Sequence, residues 1–511
     1  MSTVISAVRS SLSIPYPELI AQLLSTLYSR LAPGFLAHNS ATRIHTHSVD
    51  LKTRRTMMSK TFELFERRPY LVIIAIGLVF SLAYLIAMTV FPRAHGRVID
   101  GDGIQYYAYV RSMVFDADLD FFNDYELLYG SNDGGGVWTT TRTSTGYVIN
   151  LMSIGPALLW LPAFLMAYIA TWSVNLFGAQ IPIDGISLPF QLSVGLAGIA
   201  YATTGVCLCF RLAKYLFGAE SAFWAVLVTW LASPAIYYSL SAPAYSHATS
   251  LFAVALFVDT WYRTREQTEL TRYLVLGALA GLVTLVRWQD AIIVLLPLAE
   301  SAHGLLNKKT SLAVAFQRLG VMAGITVLMF TPQILAWHAI YGELLLTPQG
   351  SDFMRWTDPQ VLSVLFSWNH GLFSWTPGLL VAVCGLYWLR KRDAMLACGS
   401  VLVIFTAIYV NASVEDWWAG EAFGARRFIS YSVLFAIGLA ALMSSYEWFR
   451  LKNWVRCTAL CLIVSNVLFL AQYQLSMRGY ANLASYPTTA QQVLLERFFI
   501  PWRLLTEPPS N

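Results

Sequence analysis

The sequence predicts an all-α fold: a polytopic transmembrane helix bundle of about 11–13 spans, with short surface helices in its first outer loop. Three observations lead there. Apolar runs near 20 residues recur along the chain, the length a helix needs to cross ~30 Å of hydrocarbon. Hydrophobic residues are 56% of the 511 and charged residues only 12%, against about 25% charged in a soluble protein, and mean hydropathy is +0.54. The runs are continuous rather than alternating. This selects helices over a closed barrel, the other architecture that satisfies its backbone in lipid.

The elements follow in order. Residues 1–60 are weakly amphipathic, end in LKTRRTMMSK and carry no signal peptide with a cleavage site. They read as a disordered or mis-assigned tail, with Met57 or Met58 as alternative starts. The first span covers roughly 69–91, preceded by Lys60, Arg67 and Arg68, which places its beginning in the cytoplasm and 92–150 outside. Further runs lie near 151–172, 188–210, 221–240, 246–262, 272–286, 289–305, 315–337, 371–389, 394–412, 428–445 and 457–474. Basic groups at Arg211 and Lys214, at Arg263, Arg265 and Arg272, at Lys308, Lys309 and Arg318, at Arg390 to Arg392, and at Arg450, Lys452 and Arg456 alternate with lysine-poor loops. Two full spans between 150 and 211 would break that alternation. Either one of them is re-entrant, with Pro156 and Pro162 as its breaks, or a further crossing separates them. The membrane domain is thus 61–475, and 476–511 is a C-terminal tail on the outer side.

The net charge of +5 with basic residues in short loops is a topology signal, not a nucleic-acid footprint. All six cysteines lie within or beside apolar runs and read as packing residues.

Chemistry collects in the outer loops. The first opens on DGDGIQYYAYVRSMVFDADLDFFNDY, in which Asp100 and Asp102 precede a helical pattern containing Tyr106, and Asp116, Asp118 and Asp120 form an acidic turn. Asp102 reads as an N-cap or as a general base at a lipid–water boundary; the turn reads as solvated, or as oxygen ligands for a divalent cation. SAPAYSH supplies Tyr245 and His247, RWQD supplies Arg287 and Asp290, and the segment from Trp337 to Trp375 supplies Trp356 and His370. The last loop, NASVEDWWAGEAFGARRF, supplies Asp416, Trp417, Trp418, Glu421, Arg426 and Arg427. Tryptophans at span ends also serve as an interfacial belt, and His247 as a helix–helix hydrogen bond. Two arginines on the outer side run against the positive-inside trend, and arginine is a bidentate partner for phosphate.

These motifs resemble the GT-C type integral membrane glycosyltransferases, in the bacterial polyprenyl-phosphate-sugar dependent branch related to aminoarabinose and protein mannosyltransferases. The resemblance rests on the first-loop acidic motif, on TGYVINLMSIGPALLWLPAF, on RLAKYLFG followed by a span ending in SPAIYY, and on WWAGEAFGARRF. It departs where relatives have Asp-Glu and this chain has Asp102 followed by Gly103, which keeps Asp100 open as the base. The resemblance implies an inverting transfer of a hexosyl or pentosyl group from a polyprenyl-phosphate sugar donor to a glycolipid or polysaccharide acceptor. The setting it implies is a bacterial inner membrane, with 92–150 as the first periplasmic loop. It implies Asp102 or Asp100 as base, and Arg426, Arg427, Arg287 and His370 at the donor phosphate. Tyr106, Asp118, Asp120, His247, Trp356, Trp417, Trp418 and Glu421 fall to substrate, and no metal is required. The partners are then the donor, the acceptor and membrane lipids, with no nucleic acid. The competing class is a lipid or lipid-linked sugar flippase without chemistry, whose ionisable groups would sit at mid-span. Here the spans are nearly free of charge.

Overall fold

A computed structural model describes residues 68–90, 97–129, 138–445 and 451–507; the expected tail at 1–60 lies outside them. The chain divides into a large unit, Arg68–Ile463, and a small one that includes Val464–Asn511. Among the described residues, seven helices are long and apolar enough to cross a membrane. Of the other apolar runs, the one near 246–262 forms an 18-residue helix outside those seven, and the rest form shorter helices.

The first span is α1 (Pro69–Val90), followed by α2 (Asp102–Phe115) and α3 (Phe122–Tyr129) in the first loop, then α4 (Gly155–Leu176) and α5 (Leu188–Phe217). The run near 221–240 is interrupted around Ser233 and Pro234, giving α6 (Ala219–Leu231) and α7 (Ala235–Leu240). Next come α8 (Ser246–Arg263), α9 (Leu270–Val286), a 3-10 turn at Trp288–Val294 continued by α10 (Leu295–Leu306), and α11 (Leu312–Tyr341). Short α12 (Val361–Phe366) and α13 (Leu372–Trp375) precede α14 (Pro377–Arg392) and α15 (Ala394–Ala412). A 3-10 turn at Arg426–Tyr431 leads into α16 (Ser432–Met443), and α17 (Lys452–Met477) runs from the large unit into the small one.

Helix α5 packs against α1, α4, α6, α8 and α16. The buried residues of α1, Ile73, Gly77, Phe80, Tyr84 and Met88, recur at the spacing of one helical face. On α5, glycines stand where other elements come closest. A Cβ at Gly195 would lie 2.2 Å from the Tyr84 hydroxyl, and one at Gly198 would lie 2.0 Å from the Pro243 carbonyl oxygen.

Between 150 and 211, helix α2 holds both flanks of α4. On the near side Asn150 Nδ2 donates to the Gln105 carbonyl (2.9 Å) and Leu151 N to Gln105 Oε1 (2.6 Å). On the far side Tyr107 donates to the Gly185 carbonyl (2.5 Å) and Arg111 Nε to that of Asp184 (3.3 Å). Gln105 and Arg111 are ~9 Å apart along one helix, and α2 also packs along α4 itself, through Tyr106 on Trp160 and Phe115 on Tyr168. The prolines do not break α4, which is itself long and apolar enough to cross a membrane: Pro156 occupies the first turn and the helix runs unbroken through Pro162. Helix α5 then carries the chain away, bringing Arg211 and Lys214 to the opposite end. There the basic groups are paired: Arg211 with Asp259, Arg265 with Asp393, and Arg272 with both oxygens of Glu300 at 2.8 Å.

In the small unit, the chain after α17 turns at Gly479 (φ +83°). It continues through α18 (Ala490–Leu494), opened by a Thr489/Gln492 capping box, a 3-10 turn at Glu496–Phe498 and α19 (Ile500–Thr506). Leu475, Leu483, Ala484 and Ile500 form its core.

The approach at Gly198 leaves no room for a side chain. Gly198→Leu is expected to lower stability by about 1–3 kcal/mol through overpacking, read as a lower unfolding temperature of the purified protein in detergent, while Gly324→Leu, where no atom lies within 4 Å of a built Cβ, stays near wild type.

Candidate active site

The site is assembled where the first loop leaves α1. Val98 N and Ile99 N both donate to Gln191 Oε1 on α5, at 2.9 and 3.1 Å, which fixes the chain just before the acidic motif. Gly101 has φ +50°, and a Cβ there would lie 2.1 Å from the Tyr245 hydroxyl; this is why the two aspartates are separated by glycine. Backbone bonds from Gly103 N to Asp100 O (3.0 Å) and Ile104 N to Gly101 O (3.1 Å) start α2. Asp102 is its first residue, and the N-cap is Gly101, without a side-chain cap. The carboxylate turns instead to Arg426, with Oδ2 2.7 Å from Nη1.

Helix α2 is enclosed, with Gly103 through Ser112 all buried. The expected surface helix lies beneath α4, whose Trp160 and Phe164 pack edge-on against Tyr106 (6.3 Å) and Tyr107 (5.9 Å).

The last loop brings the arginines. Gly424, at φ +66°, passes so close to Pro234 that a Cβ would lie 2.8 Å from its ring. Phe423 N donates to the Tyr238 hydroxyl at 3.4 Å. The Arg426 guanidinium lies 5.8 Å over the Tyr245 ring. Arg427 donates to the Asp416 carbonyl (3.0 Å) and to its Oδ1 (2.7 Å). Arg426 and Arg287 are both near enough for their charges to act on Arg427.

Arg287 is held from three sides. Its Nη1 donates to Ser246 Oγ (3.1 Å) and His247 Nδ1 (3.3 Å), and its Nε faces Asp290 Oδ2 at 3.6 Å. Tyr106 donates to the same Ser246 Oγ at 2.8 Å. Asp290 accepts from Ser250 and, at 2.9 Å, from Tyr431. His247, accepting at Nδ1, is the neutral tautomer protonated at Nε2.

His370 adopts φ +63°, and its Nδ1 donates to the Trp418 carbonyl at 2.7 Å. Burial, opposed by that hydrogen bond and helped by the charge of Arg426, lowers its pKa to about 4, so the ring is neutral near pH 7. A small cavity of about 10 Å³ is lined by His370, Asn411, Trp417, Trp418, Arg426 and Arg427, among others. Burial first, and then the charges of Asp100 and Asp102, push the Tyr245 phenol well above its usual range.

The structure thus gathers Asp102, Arg426, Arg427, Arg287, His247, His370, Tyr106, Trp417 and Trp418 around one end of the bundle, with Asp100 two residues before Asp102. Asp118 and Asp120 stand elsewhere, past the far end of α2, ~20 Å along the helix. There Asp118 accepts from Ser112 (2.7 Å) and Asp120 from Phe122 N (3.3 Å), the roles of turn and cap residues. Nearby Arg111 bonds Asp116 and Asp124, yet burial pushes the Asp124 carboxyl up to about 7. Trp356 is exposed and stacks on Tyr409 at 6.0 Å; Glu421 is exposed. Among the described residues no group of three His, Cys, Asp or Glu side chains could hold a metal ion. The sequence did not single out Tyr238, Ser246, Ser250 or Tyr431; for Tyr238 the signal was its place in SPAIYY.

No family model and no curated protein sequence matches this chain. Among solved structures, ArnT from Cupriavidus metallidurans bound to undecaprenyl phosphate is similar at 14% identity and a TM-score of 0.46, over 85% of this chain and 76% of that one. The archaeal oligosaccharyltransferase AglB from Archaeoglobus fulgidus, in complex with an inhibitory peptide and a dolichol-phosphate, is similar at 11% identity and a TM-score of 0.44, over 84% of this chain. This chain spans 61% of AglB.

His370 gives the fold a directional pH dependence. Its folded pKa is about 4 against ~6.5 unfolded, so between these values the unfolded chain binds more protons and stability falls as pH drops. His370→Asn, which tolerates the positive φ, should remove about 2 kcal/mol of the loss between pH 6.5 and 5. Denaturation of both proteins across that range measures it; parallel curves would contradict the assignment.

Proposed function

We propose that the chain is an inverting glycosyltransferase that moves a hexosyl or pentosyl group from a polyprenyl-phosphate-linked donor to a hydroxyl of a glycolipid or polysaccharide. The transfer takes place at the outer face of the membrane, and in a bacterium that is the periplasmic face of the inner membrane. The observation that carries this reading is the Asp102–Arg426 pair, 2.7 Å across: a carboxylate released from helix capping, beside a guanidinium that has a second arginine next to it in the chain.

The chemistry needs a base on one side of the anomeric carbon and positive charge on the other. Asp102 takes the proton of the acceptor hydroxyl as its oxygen bonds to the anomeric carbon. The bond from that carbon to the phosphate oxygen breaks, and the polyprenyl phosphate leaves with the electron pair. Arg426 and Arg427 face the charge that develops on it, a stabilisation of the oxyanion-hole kind. Arg287 adds a third cation, held in place by Asp290 and Ser246. Because Arg426 pairs with Asp102, an incoming phosphate that draws the guanidinium away uncovers the base at the moment the donor arrives. Trp417 and Trp418 offer ring faces for sugar at the cavity. Asp100 remains the alternative base.

The test is mass spectrometry of envelope glycolipids and polysaccharides from cells lacking the gene, complemented with wild type or variants. Wild type is expected to restore a sugar-sized mass. Asp102→Asn should reduce transfer at least ~100-fold, the usual share of a general base, with insertion intact. Arg426→Gln should cost ~100–1,000-fold, while Asp118→Asn stays near wild type. Full activity in Asp102→Asn would shift the base to Asp100. No sugar difference, with an intact lipid redistributed between leaflets, would favour a flippase.

A further inference from the structure

The C-terminal segment has its polarity reversed. In a water-soluble tail the charges face out and the apolar side chains face in. Here Glu496 and Arg497 are both only 7% exposed, whereas Leu495, Phe498, Phe499, Trp502 and Leu505 are 53–66% exposed. Glu496 is paired within the segment's own fold, and Arg497 is bonded through its terminal nitrogens while its Nε has no hydrogen-bond partner. Glu496 Oε1 accepts from Ser485 N and from Arg503 Nη1, each at 2.9 Å, and Arg503 also donates to the Leu483 carbonyl at 3.0 Å. Arg497 donates to the Val493 carbonyl and reaches Ser465 Oγ at 3.4 Å.

The depth of these contacts matters as much as their pattern. The Arg497 guanidinium lies 3.7 Å over the ring of Phe469, and Gln472 donates to the carbonyls of Ser485 (3.2 Å) and Gln492 (3.1 Å). Helix α17, 26 residues from Lys452 to Met477 and one of the seven candidate spans, is ~39 Å long. Ser465 lies near its middle, ~18 Å before its end. A segment that meets α17 between Ser465 and Leu475 has turned back along the span instead of continuing away from it. At that level the surroundings of a span are hydrocarbon, and Val464 and Val467 on α17 are themselves exposed.

We infer that residues 490–506 form a re-entrant segment that dips into the same half of the bilayer that the end of α17 crosses, with Leu495, Phe498, Phe499, Trp502 and Leu505 facing lipid acyl chains. The partner of this surface is the membrane. Buried polar groups paired inside and an apolar exterior are what irregular backbone needs at that depth. Arg497 is the positioning residue, since it ties the segment to the middle of α17 by a cation–π contact and a hydroxyl. The inference is independent of the catalytic reading.

Spin labels on the full chain in lipid nanodiscs test it, with the six native cysteines replaced and single cysteines introduced as Phe499→Cys, Trp502→Cys and, as an aqueous reference, Thr488→Cys. Oxygen should relax the labels at 499 and 502 several-fold more effectively than a water-soluble nickel chelate, with the order reversed at 488. Nickel access at 499 and 502 equal to that at 488 would overturn the inference in favour of an aqueous tail. Low access to both reagents would overturn it in favour of packing against protein. Should the cysteine-free chain fail to fold, a lipid-borne photoactivated carbene applied to the unaltered chain gives the same reading. Peptides covering 494–505 should then be labelled as heavily as those covering 454–467, and unlabelled 494–505 peptides would refute it.

Discussion

The close approach of backbones along α5 is the constraint on which the site depends. This helix touches the first span, α4, and the helices that begin at Ala219, Ser246 and Ser432. It can do so because glycine stands where Tyr84, Pro243 and Leu251 press in. Lipid offers no hydrophobic drive to bring helices together, so small residues that permit contact, and hydrogen bonds between helices, decide which helices meet. Gln191 on the same helix then fixes Val98 and Ile99. One helix therefore sets the position of Asp102, through the chain that leads to it, and of the loop at Pro243 that leads to Ser246 and His247.

At the site, neutral groups surround paired charges. His247 and His370 are both uncharged near neutrality, the first because Arg287 donates to it and the second because it is buried beside Arg426. The rings of Tyr238 and Tyr245 pack against His247, and the Tyr106 phenol bonds the neighbouring Ser246. Buried, uncharged polar neighbours strengthen the interaction between the ions they surround. The acidic turn at Asp116–Asp124 stands apart, with its own arginine, Arg111, at the far end of α2.

Much of this could be read from the chain because polar residues are so sparse in it. Asp102, Arg287, His370, Arg426 and Arg427 stand out against apolar runs, and the alternation of basic loops placed them on one side. Asp118 and Asp120 stood out equally, yet they bond Ser112 and the backbone of Phe122, since charge density alone does not distinguish a cap from a ligand. Pairings were out of reach. Nothing local in WWAGEAFGARRF indicates that Arg426 meets Asp102 while its neighbour meets Asp416. The ties that Gln105, Tyr107 and Arg111 make to the flanks of α4 are tertiary, so nothing local in the sequence indicates them. The polarity of the C-terminal segment was hidden for a similar reason: LLERFFIPWRLL has no clean period, and only its fold turns the charges inward.

Each of the three arginines already has a carboxylate beside it: Asp102 for Arg426, Asp416 for Arg427 and Asp290 for Arg287. An anion entering such a place replaces one counter-ion with another, as on an ion-exchange resin, and the free energy of entry is a difference between two charge-assisted contacts. Selectivity then follows the relative geometry and basicity of the incoming and resident anions rather than total positive charge. Added salt weakens the resident pair as well as the incoming one, so the occupancy of this site changes less steeply with ionic strength than that of an open basic cleft.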